Sequence, residues 1–302
     1  MSETRTASKA LTLAILGIAG LCLMDVLAKT LGANFPIAQV VFFRFAGAAL
    51  WLALFIALTR RAWPQWRFLT RHGLRAVLGC LTAFLFFYAV TNLPLAIATA
   101  LGMTAPVYMA LLGVLWLKEP WSRSLLMAIG MGLAGSLVII VGGEDAVSAT
   151  GEATPLAWIA AVLAPFTYAS ALVLLKRHAT DEGAVATTFA QAMLSGLIAL
   201  PFALPVFVMP GPDDWFAFVG IGALGAICYI LLLTALRMIP ASLFSLVDYT
   251  GLLWAAFFGF VLFAEVPGAS LWLGGGLVIA ACAIGVNGAR PKPPRRGVKL
   301  KP

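Results

Sequence analysis

Ten stretches of mostly apolar residues follow one another along this 302-residue chain, near 11–31, 37–58, 74–92, 95–117, 124–142, 155–175, 185–208, 215–236, 241–263 and 269–288. Their number and length constrain the fold more than any motif does. About 20 apolar residues in a helix cross the roughly 30 Å hydrocarbon layer of a bilayer. A soluble chain could not hide ten such stretches, because it must also cover its own exterior. Only 11% of the residues are charged, against roughly 25% in a typical soluble domain. The expected fold is therefore an all-α integral membrane protein with ten transmembrane helices. The connections are short and leave no room for a separate soluble domain. The first stretch is too long for the h-region of a cleavable signal peptide and carries Asp25 and Lys29.

A net charge of +8 raises the question of nucleic acid, and its distribution answers it. Ten spans divide the connecting residues into two alternating sets. One set holds 18 of the 20 Lys and Arg: Arg5 and Lys9, the five arginines of 59–75, Lys118, Arg123, Lys176, Arg177, Arg237 and the six of the 290–302 tail. The other holds no Lys or Arg, only Glu144, Asp145, Glu152, Asp213, Asp214 and Glu265. The positive-inside rule then places both termini in the cytoplasm. The charge is a topology signal that also suits anionic lipid, and no nucleic-acid partner is expected. The four cysteines fall inside spans without the close spacing of a metal site, so they read as small packing residues and no metal is expected.

A shift of 146 residues aligns 88–142 with 234–288 without a gap. Pro94 meets Pro240, Thr104 meets Thr250, Gly113 meets Gly259 and Glu119 meets Glu265. With a shift of 147, Arg44 in "FFRF" meets Gln191 in "FAQA", and Lys29 meets Lys176. Five spans per half is an odd number, so the second half must run through the membrane upside down. Inverted repeats of this kind build secondary transporters, whose binding site lies near the midplane between the halves. The expected organisation is a first repeat over 10–143, a second over 153–289 and a basic tail over 290–302.

"DVLAK" in the first span, "FFRF" in the second, "LPLAIATALGMTAPVYMALLGVLWLKEP" and its partner "IPASLFSLVDYTGLLWAAFFGFVLFAEV" resemble the drug/metabolite transporter superfamily, in its EamA-type branch. The resemblance runs from about residue 10 to 289. It implies a bacterial inner-membrane carrier with a central cavity lined by the first, third and fourth helices of each half. It implies no ATP, cofactor, metal or covalent chemistry. The solutes of such carriers include amino acids, nucleotide-related metabolites, vitamins and organic ions. The opening "D-x-L-A-K … FFR" is similar to members described as S-adenosylmethionine or riboflavin carriers.

Charges within spans cost roughly 2.5–3.5 kcal/mol each on insertion scales, so each needs a partner or a cavity. Asp25 and Lys29 stand four apart on one helix face and can pair. At about 1.5 Å per residue, Asp25 lies about 9 Å from one end of its span and Arg44 about 10 Å along the next, so the two can also meet. Lys29 is near enough to the surface to snorkel. Asp25 and Arg44 are then either a buried pair that fixes packing, or Asp25 contacts a cationic part of the solute or takes a coupling proton. Asp248, roughly 10 Å into the ninth span with no basic residue on that helix, is a second candidate for solute or proton binding. Tyr249, Trp254, Tyr108, Tyr88 and Tyr229 are candidate cavity walls, since an aromatic face with a polar tip suits a ring-bearing or cationic ligand. Gln191, the equivalent of Arg44, is expected to support packing. The glycines of the fifth and tenth spans have the spacing of close helix contacts, for packing or for a homodimer seam.

An intramembrane enzyme would need a catalytic set at membrane depth. His72 and His178 both fall in basic loops, and no HExxH, GxSxG or carboxylate pair lies in a span. A channel would need a charge ring or a filter sequence, and neither is visible. A structural or sensory membrane protein is the remaining alternative to a carrier of a small solute.

Overall fold

The computed structural model describes residues 2–64, 72–117, 123–148, 154–177, 183–238, 250–266 and 268–288, and among them all regular structure is helical. The first half comprises α1 (Ser2–Asn34), α2 (Ile37–Leu58), α3 (Gly73–Asn92), α4 (Leu95–Gly102), α5 (Ala105–Leu117) and α6 (Arg123–Ser148). The second comprises α7 (Pro155–Arg177), α8 (Ala184–Ala203) with a short 3₁₀ turn after it, α9 (Asp214–Met238), α10 (Thr250–Phe263) and α11 (Ala269–Gly288). Among the described residues, five segments are long and apolar enough by themselves to cross a membrane: Lys9–Asn34, Ile37–Leu58, Gly73–Asn92, Ala184–Val206 and Asp214–Ala235. Their outward faces carry side chains such as Leu50, Leu58 and Phe216 in full exposure, which suits lipid and not water.

The fourth apolar stretch, expected as one helix, is two. Met103 and Thr104 form a turn between α4 and α5. Pro106 has no N–H for the Gly102 carbonyl, and the Thr104 hydroxyl donates back to Leu101 O at 2.7 Å, so the ladder stops there. Pro94 opens α4. Pro240 and the residues around it lie outside the described set, as does the tail 290–302.

The most extensive helix contact joins α6 to α11. There Gly135 and Gly274 meet backbone to backbone, and a Cβ on either would overlap the other's carbonyl oxygen. The glycine-spaced edge of these helices therefore packs within the chain. Around the centre, α1 lies against α9 and α3 against α7, while α2 packs on α8 and α9.

Candidate solute-binding cavity

A cavity of about 270 Å³ lies at the centre of the bundle. It is just below the roughly 300–1,000 Å³ of typical small-molecule sites. The α1 residues Ile18, Cys22 and Asp25 face it at helical spacing, as do Arg75, Gly79, Thr82 and Phe86 of α3. The break between α4 and α5 contributes Gly102 and Met103, and α7, α9 and α10 contribute Tyr168, Tyr229 and Gly251. The helices named by the resemblance are thus all present. Two more join them: α2 with Arg44 and α8 with Thr188 and Gln191.

Arg44 is 6% exposed. Its guanidinium carbon sits 4.2 Å from the centroid of Phe45, 5.2 Å from Tyr229 and 5.9 Å from Phe87. Its Nε is buried and has no hydrogen-bond partner. Among the described residues no carboxylate lies within 4.0 Å of it. Asp25, 7% exposed, lines the same cavity without an ion pair among the described residues. The Gln191 amide donates to Ser195 Oγ at 3.1 Å and to the Arg75 carbonyl at 3.4 Å, while its Oε1 is buried and unpartnered. The Thr99 hydroxyl, on the same wall, is unpartnered as well. Buried polar atoms in native proteins nearly always have partners. Of the four buried side-chain atoms without one among the described residues, three line this cavity.

Lys29 is engaged elsewhere. Its Nζ lies 3.0 Å from Glu265 Oε1 and donates to the carbonyls of Val90, at 2.9 Å, and Leu93. The second oxygen of Glu265 accepts the Leu95 N–H at 2.7 Å, at the start of α4. Lys29 therefore forms no pair with Asp25, which would leave two backbone carbonyls and the Glu265 carboxylate without their donor. Glu265 reaches this place because Ala264 adopts a left-handed φ of 54° and turns the chain back after α10. Gly259 has no side chain to obstruct the returning carboxylate. In the sequence Glu265 falls in a connection just past the ninth span, and it stands out only by its match to Glu119 in the repeat.

Of the other residues marked from sequence, Tyr229 is on the cavity wall. Tyr88 reaches Thr154 Oγ1 at 3.4 Å, Tyr108 stacks edge-on against Phe166, and Trp254 packs on Phe258; none of the three lines the cavity. Asp248 and Tyr249 lie outside the described residues. Tyr168 and Thr99 were not marked, since nothing in an all-apolar helix singles out the side that faces inward.

The sequence profile of the EamA-like transporter family matches residues 8–141 and again 155–286. The chain belongs to the EamA-like transporter family. It is therefore a multi-pass membrane protein of a transporter family. This EamA-like chain is 28% identical to the pseudopaline exporter of Pseudomonas aeruginosa, over 89% of its own length and 93% of that protein's. It is 24% identical to an S-adenosylmethionine uptake transporter of Rickettsia felis, over 85% of each. A crystal structure at 19% identity superposes with a TM-score of 0.58, covering 93% of this chain and 96% of that one, which shows a shared fold.

Proposed function

We propose that the protein is a secondary active carrier of a small organic solute across the bacterial inner membrane. It works by alternating access between two inverted five-helix halves, 10–143 and 153–289, with both termini in the cytoplasm. The observation that carries this reading is a central cavity at which Arg44 Nε, Thr99 Oγ1 and Gln191 Oε1 are buried without a hydrogen-bond partner among the described residues. A purely structural membrane protein has no use for such a place, since each unpaired group costs stability.

The packing supports two related halves. Exchanging them turns the α1–α9 contact into α7–α3, α2–α9 into α8–α3, and α1–α10 into α7–α5, and all of these contacts occur. The cavity extends from Asp25 to Arg75 in the first turn of α3, toward the basic end of the bundle. The opposite end is shut by the Lys29–Glu265 pair, by Gln39 bonded twice to Val208, and by the rings of Phe35, Phe43 and Phe218. This is the arrangement of a carrier facing the cytoplasm. To face outward, the Lys29–Glu265 pair must part. In the sequence Lys176 and Glu119 are the repeat equivalents of Lys29 and Glu265.

Asp25 binds a cationic part of the solute or a coupling proton. Asp248 is the second candidate, because its equivalent Gly102 borders the cavity. The solute classes in view are amino acids, S-adenosylmethionine-like, riboflavin-like and organic-cation compounds. One relative is named an exporter and another an uptake transporter, so gradients and not the fold set the direction. The test is uptake of such a panel into proteoliposomes, with and without an imposed proton gradient. Saturable, gradient-driven uptake is expected, and Asp25→Asn removes its pH dependence. Uptake that rises without saturation makes the protein a channel, and no uptake of any class contradicts the carrier reading.

A further inference from the structure

We infer that Arg44 anchors a carboxylate of the transported solute, and that the same solute carries an amine which Asp25 and the Gln191 carbonyl oxygen receive. This rests on the carrier reading above and narrows it to amino-carboxylate compounds. Arg44 is the second-helix cation of the first half, and its repeat equivalent Gln191 faces the same cavity from α8.

A buried cation at membrane depth costs roughly 2.5–3.5 kcal/mol on insertion scales. Its contacts with aromatic rings are worth roughly 0.5–2 kcal/mol, so the rings around Arg44 offset only part of that. Lys29 shows how this chain treats a cation that serves the fold: one carboxylate and two carbonyls accept from it. Arg44, with 6% exposure and an idle Nε, receives no such treatment among the described residues. The planar guanidinium matches a carboxylate or a phosphate in a two-pronged geometry. Asp25 on the same wall chooses between them. Its negative charge repels a phosphate dianion and attracts an ammonium group. The Gln191 amide is turned by its bonds to Ser195 and to the Arg75 carbonyl, which leaves Oε1 as an acceptor for an N–H. Phe45, Phe86 and Tyr229 offer flat apolar faces for the body of the solute. Acceptors for an amine, a fork for a carboxylate and rings beside them together describe an amino-carboxylate head on an apolar or aromatic body.

The test compares matched solutes on the purified full-length chain by thermal shift: L-phenylalanine against L-phenylalaninamide, and S-adenosylmethionine against decarboxylated S-adenosylmethionine, which keeps the sulfonium and the amine and lacks only the carboxylate. Charge-assisted hydrogen bonds predict that the carboxylate member of at least one pair binds about 10- to 100-fold more tightly. Arg44→Gln abolishes the preference, and Arg44→Lys keeps part of it. The wild-type comparison needs no variant, so a poorly folded Arg44→Gln leaves the test intact. Equal binding within every pair, or a preference unchanged in Arg44→Gln, overturns the inference. Binding confined to nucleosides, flavins or organic cations without a carboxylate also overturns it, while leaving the carrier reading in place. No binding by any class counts against both.

Discussion

Two clusters of polar side chains share this bundle, built from nearly the same residue types, and they are finished differently. At the closed end, Lys29 meets Glu265 and two carbonyls, and Gln39, wholly buried, spends both ends of its amide on Val208 at 2.8 Å. In the central cavity, Arg44 has an idle Nε and Gln191 an idle Oε1. A cation and a glutamine are satisfied in one place and left partly idle in the other. The closed end is a fastener, complete without any other molecule. The cavity keeps hydrogen-bonding capacity that no described residue uses. Intramembrane polarity by itself thus says little about role; the state of its hydrogen bonds says more.

The comparison can be broken most forcefully at the fastener. Glu265→Gln leaves the partly buried Lys29 without its counter-charge, at a cost below the ~3–5 kcal/mol of breaking a fully buried pair. A large fall in melting temperature of the purified protein is expected, and an unchanged melt would make the pair ornamental. Gln39→Ala removes both bonds to Val208, at about 0.5–1.5 kcal/mol each because Val208 is itself exposed. Gln191→Ala, the matching change in the cavity, should move the melt by under about 1 kcal/mol while reducing transport, because only its weaker side is bonded to protein. Denaturant or thermal melts of the two alanine variants, run together, read that contrast directly. A methyl at Gly79 would overlap the Gln191 amide, so Gly79→Ala sharpens the same point. It should cost about 1–3 kcal/mol from overpacking and lower solute affinity more than it lowers stability. Asp25→Asn is the mildest for the fold. Stability is expected to hold within about 1 kcal/mol, while the pH dependence of transport flattens.

Much of this was legible in the sequence. The apolar stretches point to a helical membrane protein, whereas Gln191, expected from its match to Arg44 to support packing, lines the cavity together with Arg44. Asp25 and Arg44, judged near in depth, do line the same space. The partner of Lys29 was not legible, because Glu265 is 236 residues away along the chain and is delivered by the left-handed turn at Ala264. Nor was the break at Met103–Thr104, since hydropathy is continuous across it. Gln39 gave no signal at all, being uncharged and outside any motif. The aromatic residues show the limit most plainly. Tyr229 faces the cavity and Tyr108 does not, yet both sit in helices that are apolar on every side and so carry no phase to read.

The most direct test of the contrast between the two clusters needs no solute. The melting of Arg44→Gln is compared with that of Glu265→Gln, both purified and ligand-free. Arg44 has no carboxylate within ion-pair distance among the described residues, so removing its charge relieves roughly 2.5–3.5 kcal/mol of insertion cost and forfeits about 0.5–2 kcal/mol of ring contacts together with its attraction for Asp25 across the cavity. Arg44→Gln should therefore melt at or above the wild-type temperature, and Glu265→Gln well below it. An Arg44→Gln protein that falls as far as Glu265→Gln would show that Arg44 serves the fold, and would contradict its assignment to the solute.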